Sequence, residues 1–236
     1  MKKKVFVFFL ASLCVGGMTF LSSCLKNSSN TPSQPSSAVW VLQASPGSPS
    51  LNVYFNTANQ GAIAYAQGGW TPPVKAGNYN FSFVNSSTGD TVSQVQDSIQ
   101  AGSYYSLVLY DTGSMRKVML FKDQSDQSQG NTDALVNFLQ LSPDSNPVTV
   151  NVDSVTVFPQ RTFADNVGNP NLSKFTGISQ GTHSFTALNA SNGDTLGTLS
   201  NVALQAGKIY TVFLRGLASH TSDTLGVKLD IMQNFP

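Results

Sequence analysis

The chain has 236 residues, with 13 Lys and Arg against 12 acidic residues. That length suits one or two domains, and without a basic face the chain has no footprint for nucleic acid. Every acidic residue is Asp. Asp suits turns and caps where Glu suits helices, so together with abundant Ser, Thr, Asn, Gly and Val it predicts β-structure.

The chain opens MKKKVFVFFLASLCVGGMTFLSSC. A basic start, an apolar run from Val5 to about Phe20 and small residues before Cys24 have the layout of a secretory signal, and the run is short for a membrane span. A retained anchor is the competing reading. Leu21-Ser22-Ser23-Cys24 resembles the lipobox of bacterial lipoproteins. That resemblance implies a signal peptide over 1–23, acylation of Cys24, and membrane attachment through its lipid. No acidic residue follows the cysteine, which by the same resemblance favours the outer membrane, facing either the periplasm or the surface. Cys14 would leave with the signal, so no thiol remains for a disulfide, a metal or a nucleophile.

Residues 24–37 are polar and rich in Ser and Pro, the composition of a flexible tether. Then VWVLQASPGSPSLNVYF begins at Val39, and 97 residues later VNFLQLSPDSNPVTVNV begins at Val136. Asn85-Ser-Ser-Thr-Gly-Asp-Thr91 returns as Asn189-Ala-Ser-Asn-Gly-Asp-Thr195. Gln100-Ala-Gly-Ser-Tyr-Tyr105 returns as Gln205-Ala-Gly-Lys-Ile-Tyr210. Matches in one order with a growing offset predict a duplicated domain, over 38–124 and 133–236, with a polar linker at 125–132. The offset grows mostly around QRTFADNVGNPN, an insertion in the second half.

Each half reads as short strands between turns. VWVLQ is apolar throughout, LNVYF alternates, and YNFSFVN places Tyr79, Phe81 and Phe83 on one face; SYYSLVLY and RKVMLF follow. VTVNVDSVTV, HSFTALN and IYTVFLRG repeat the scheme. Turn signals every eight to twelve residues predict two tandem, immunoglobulin-like antiparallel β-sandwiches. Gly89 and Gly193 suit hairpin turns. Tyr105 and Tyr210 can return their hydroxyls to turn backbone, as a tyrosine corner does, or simply pack in the core.

Leu42-Gln-Ala-Ser-Pro-Gly-Ser-Pro-Ser-Leu-Asn-Val-Tyr54 resembles the ASPDAP-x-x-DVYVNG signature of domain of unknown function 4397. Ala76-Gly77-Asn78-Tyr79, Ala101 to Ser106 and Ala206 to Thr211 resemble its later A-G-x-Y stretches. The resemblance implies a β-sandwich in the bacterial envelope and carries no catalytic residues. The second half departs from it, with Asn151 where Tyr54 stands and His183 where Tyr79 stands.

Residues that could carry chemistry are few. His183 sits at a strand position that the first half fills with Tyr, which favours packing, and His220 reads as a loop residue. No G-x-S-x-G elbow singles out one Ser-His-Asp trio. Asp165-Asn-Val-Gly-Asn-Pro-Asn171 offers oxygen ligands without EF-hand spacing, so no metal or cofactor is expected; Asp144 and Asp153 could meet in space. Exposed aromatics suit carbohydrate, which nominates Trp40 and Trp70, with Asp165 and Asn169 in the insertion. Phe175 stands near the place of Trp70 in the second half, which favours a core plug there. Asn137 replaces Trp40, which places position 40 outside the deep core. The leading expectation is a lipid-anchored envelope protein that is not an enzyme and presents its domains to a protein or glycan. An envelope hydrolase and a structural subunit of a surface assembly are the alternatives.

Overall fold

The computed structural model describes residues 35–123, 132–166, 174–221 and 223–234. Cys24 and Asn169 lie outside them, as do nearly all of the tether and linker. Sixteen strands account for most of the described chain. The first eight are β1 (Ala38–Gln43), β2 (Leu51–Phe55), β3 (Ala58–Ile63), β4 (Gly68–Trp70), β5 (Gly77–Asn85), β6 (Thr91–Ile99), β7 (Tyr104–Tyr110) and β8 (Lys117–Lys122). They form two sheets, ordered β4-β1-β7-β8 and β3-β2-β5-β6. The second eight are β9 (Asp133–Gln140), β10 (Val148–Val152), β11 (Val155–Arg161), β12 (Thr176–Ser179), β13 (Gly181–Asn189), β14 (Thr195–Leu204), β15 (Ile209–Arg215) and β16 (Lys228–Gln233). Their sheets are ordered β12-β9-β15-β16 and β11-β10-β13-β14, strand for strand the order of the first pair. Each pair closes on its own core, so the described chain is two β-sandwiches. In the first, Val39, Val41, Leu107 and Leu109 meet Val53, Phe55, Phe81 and Phe83. In the second, Val136, Phe138, Val212 and Leu214 meet Val150, Phe158 and Phe185.

The repeated motifs have local physical causes. Asn85 Oδ1 accepts the Ser87 N–H at 2.9 Å while Gly89, at φ 79°, donates its N–H to the Asn85 carbonyl. Asn189 and Gly193, at φ 81°, repeat both bonds. An Asx turn followed by a left-handed glycine reverses the chain at low steric cost. Tyr105 is buried and its hydroxyl accepts the Gln100 N–H at 2.9 Å; Tyr210 does the same for Gln205 at 3.2 Å. The phenol therefore satisfies a turn amide that core packing alone would leave to solvent.

Two features differ from the sequence reading. VTVNVDSVTV is a hairpin, turning at Asp153 and Ser154 with φ 46° and 71°. Two positive-φ residues in succession match the twist of the strands, and Asp and Ser tolerate that geometry without the glycine that usually signals it. In addition, neither sandwich is wholly antiparallel: β1 runs parallel to β7, and β9 parallel to β15.

The apolar runs of β1, β7, β9 and β15 are explained by a third cluster. Leu42, Ala44, Val108, Tyr110, Met119 and Phe121 of the first sandwich pack against Leu139, Leu141, Phe213 and Met232 of the second. Two sheets are thus covered on both faces, one toward their own sandwich and one toward the other. Strands buried on both sides lose alternation. The layer also contains polar groups. Asp123 and Asn234 hold matching positions just past β8 and β16, donating their N–H groups to Tyr104 and Ile209 carbonyls. Both are fully buried. The Ser106 hydroxyl lies 3.1 Å and 3.2 Å from the two Asp123 carboxylate oxygens and accepts from Asn234 Nδ2 at 3.3 Å. Burial pushes the Asp123 carboxyl up to about 7, against hydrogen bonds from Asn234 and Ser106 that lower it. At the rim, Arg215 donates to the Tyr65 hydroxyl at 3.2 Å, stacks over that ring and pairs with Asp230.

Candidate binding site

Trp40 and Trp70 face each other across the β1–β4 register and pack edge to face with centroids 5.3 Å apart. Both are half-buried, and Trp40 lies against the layer between the sandwiches. A Cβ built on Gly68 would stand 2.8 Å from Trp40 Cζ2 and 2.9 Å from its Nε1. The indole therefore lies on the bare backbone of β4. Gly68→Ala is expected to lower stability by about 1–3 kcal/mol through overpacking and to shift the tryptophan emission. An unchanged melting temperature and spectrum would show that the ring is not pinned there. The β9–β12 register, which pairs Thr176 with Val136, sets Phe175 opposite Asn137, the same relation as Trp70 to Trp40. Asn137 is fully buried, so its exchange for Trp40 reflects the polar content of the shared layer, not exposure.

Asp165 lies in a 3-10 turn, Phe163–Asn166, where its carboxylate accepts the Thr162 N–H at 2.7 Å. Phe163 packs on the shared layer and Asn166 donates to the Gln140 carbonyl. This part of the insertion is thus folded onto the body. Asp144 and Asp153 are engaged separately. Asp144 accepts the Ala218 and Ser219 N–H groups at 2.6 Å and 2.9 Å, and Asp153 takes Ser184 and His183. No cluster of three potential metal ligands occurs among the described residues.

A concavity lined by polar groups lies elsewhere, on the outer sheet of the first sandwich. Asn56, Asn78, Tyr79, Asn80, Gln96, Asp97 and Ser98 line a groove of about 530 Å³. The period-2 alternation of β5 and β6 sends Phe81, Phe83 and Val95 inward and turns Asn78, Asn80, Gln96 and Ser98 outward. Register sets Asn80 beside Gln96 and Asn78 beside Ser98. Asn56, at φ 54°, ends β2; its Oδ1 accepts the Asn80 N–H at 2.9 Å and its N–H binds the Asn80 carbonyl at 2.8 Å. Asn80 Nδ2 donates to Gln94 at 3.1 Å, while its Oδ1 is buried with no partner among the described residues. An unmatched buried acceptor costs about 1–3 kcal/mol. Asn78 and Gln96 are exposed. Tyr54, opposite Ser82, continues the outward surface across the sheet.

The second sandwich builds the same place differently. Asp153 stands where Asn56 does, and its Oδ1 accepts both the Ser184 N–H at 2.8 Å and the Ser184 hydroxyl at 3.3 Å. His183 Nδ1 meets Asp153 Oδ2 at 2.6 Å, and its Nε2 meets the Ser179 carbonyl at 2.8 Å. That last bond reproduces the one from the Tyr79 hydroxyl to the Lys75 carbonyl, also four residues back. The Ser184 N–H, then His183, hold the Asp153 carboxyl below its usual range. The contact at Tyr79 is therefore kept by different chemistry, and Asp153 repeats with Ser184 the main-chain bond that Asn56 makes with Asn80. The trio is not a nucleophilic triad, because the serine hydroxyl bonds the aspartate and the far ring nitrogen bonds a carbonyl. The outward rows here are Thr149, Asn151, Thr156, Thr186 and Thr198, with Asn151 accepting from Thr156 at 2.8 Å.

Sequence reasoning missed the groove because its residues come from three separated segments and form no local motif. The outward positions of YNFSFVN were the available signal.

Comparison with curated proteins finds none that matches the chain. Among solved structures, the crystal structure of CBMbc (family CBM26) from Eubacterium rectale Amy13K, in complex with maltoheptaose, matches at 10% identity. It covers 84% of this chain and 98% of that one with a TM-score of 0.26, a likeness too distant to bear on function. Residues 37–151 match the family described as Domain of unknown function (DUF4397), which takes in β1 through β9 and most of β10.

Proposed function

We propose that the chain is a lipid-anchored, non-catalytic binding protein of the bacterial envelope, and that its ligand docks in the groove on the outer sheet of the first sandwich. The supporting observation is the set of exposed amides, Asn78 and Gln96, around a concavity of the first half, where the second half carries a His183–Asp153 pair. Attachment through acylated Cys24 to the outer membrane rests on the sequence reading. Cys24→Ala is expected to shift the protein from the membrane fraction to the soluble one, and unchanged partition would remove the lipid anchor.

Binding is tested with the full chain against purified envelope polysaccharides, peptidoglycan fragments and secreted proteins. At least one component should bind, and Asn78→Ala combined with Gln96→Ala should weaken it tenfold or more. Binding that survives this change would move the site elsewhere. Silence across the panel would leave a spacer role.

A further inference from the structure

We infer that the groove takes a neutral oligosaccharide, an inference that rests on the binding reading above. Its lining is five amide or hydroxyl side chains besides one tyrosine and one carboxylate. Among the described residues no Lys or Arg lines it, so an anionic ligand would bring uncompensated charge toward Asp97. A sugar hydroxyl both donates and accepts, and so does each side-chain amide. Asn78, Gln96 and Ser98 are exposed on neighbouring strands in fixed register, which offers pairs of donors and acceptors about 5 Å apart across the sheet. The amides beneath are held in place: Asn56 Oδ1 accepts the Asn80 main-chain N–H, and Asn80 Nδ2 donates to Gln94. Preorganised polar groups lose little conformational entropy on binding. Half-buried Tyr54 lies one row beyond, opposite Ser82 and Asn59. Its ring offers an apolar surface to the C–H face of a sugar that runs past the groove. An extended peptide would instead hydrogen-bond main chain to main chain along the free edge of β6, and would have little use for outward amides.

The test is titration calorimetry of the full chain in mild detergent with neutral hexose oligomers, uronic-acid oligomers of equal length and an extended uncharged peptide. Neutral oligomers are expected to bind, and the uronic-acid series at least tenfold more weakly. Gln96→Ala and Tyr54→Ala should each weaken the neutral series about tenfold. Thr186→Ala, on the corresponding face of the second sandwich, should change nothing. Both Gln96 and Thr186 sit on outward faces, so folding is not at stake, and a circular dichroism melt checks it for each variant. Tighter binding of the acidic series overturns the inference, as does indifference to Gln96→Ala. Peptide binding lost in Gln96→Ala overturns the saccharide class while keeping the groove as the site. Failure of all three probes, with envelope components still bound through the groove, rejects the sugar alone. Failure of those components as well rejects the binding reading.

Discussion

Raising the pH from 5 to 8 is expected to destabilise this protein by roughly 3 kcal/mol, and Asp123→Asn is expected to abolish most of that loss. The cause is a carboxyl with no exposure, raised from 3.8 to about 7 by burial. Below 3.8 the group is protonated in both the folded and unfolded chain. Between 3.8 and 7 the unfolded chain releases the proton and the folded chain keeps it. Folding then binds a proton, and stability falls by up to about 1.4 kcal/mol per pH unit. Above 7 the folded chain ionises too and the decline stops. Chemical denaturation at several pH values measures the slope. Asparagine stands at the matching position, as Asn234, so the amide is already tolerated in this layer. At pH 8 the D123N variant should therefore be more stable than wild type. A flat wild-type profile, or the same slope in D123N, would show that Asp123 is ionised or hydrated in the folded protein.

The second large effect concerns the layer between the sandwiches. Phe213 is buried there with Leu42, Leu139 and Met232. Phe213→Ala should cost about 3–5 kcal/mol, the usual penalty for emptying a core phenylalanine site. The unfolding transition should remain single, because each half loses cover when the other unfolds. The stronger form of the test is to separate the halves. Residues 35–123 alone would expose Leu42, Val108, Tyr110, Met119 and Phe121 as one apolar face. A face of that kind drives association, so each isolated half should aggregate or dimerise. Two well-behaved monomers with the stability of the parent would show that the shared layer contributes little.

These two features were the least legible in the sequence. Alternation in LNVYF and YNFSFVN identified strands with one buried face, and the recurring Asn-x-x-x-Gly-Asp-Thr and Ala-Gly turns placed the hairpins. VWVLQ read as a strand buried on both sides, but nothing local says that its second face meets another sandwich. That is a long-range fact, written in residues more than a hundred positions apart, such as Ser106 and Asn234. The polar edge strands β6 and β14 carry little apolar signal and were not anticipated. The site was less legible for a related reason. Trp70, for which Phe175 favoured a core plug, packs edge to face on Trp40, and Trp40 lies on Gly68. The amides of the groove are common residues whose meaning appears only when β2, β5 and β6 set them side by side.

The charged member of the matching pair in the shared layer, Asp123 against Asn234, has a consequence for partner choice. The two halves are alike enough that a first sandwich could try to dock on the first sandwich of another molecule. That union would bury two acids against each other, a costly juxtaposition in a dry interface. A second sandwich meets no such obstacle with the first. A single carboxyl thus biases each chain toward folding back on itself, and the bias is strongest where that acid is charged, so neutralising it should loosen the discrimination and invite chains to exchange halves.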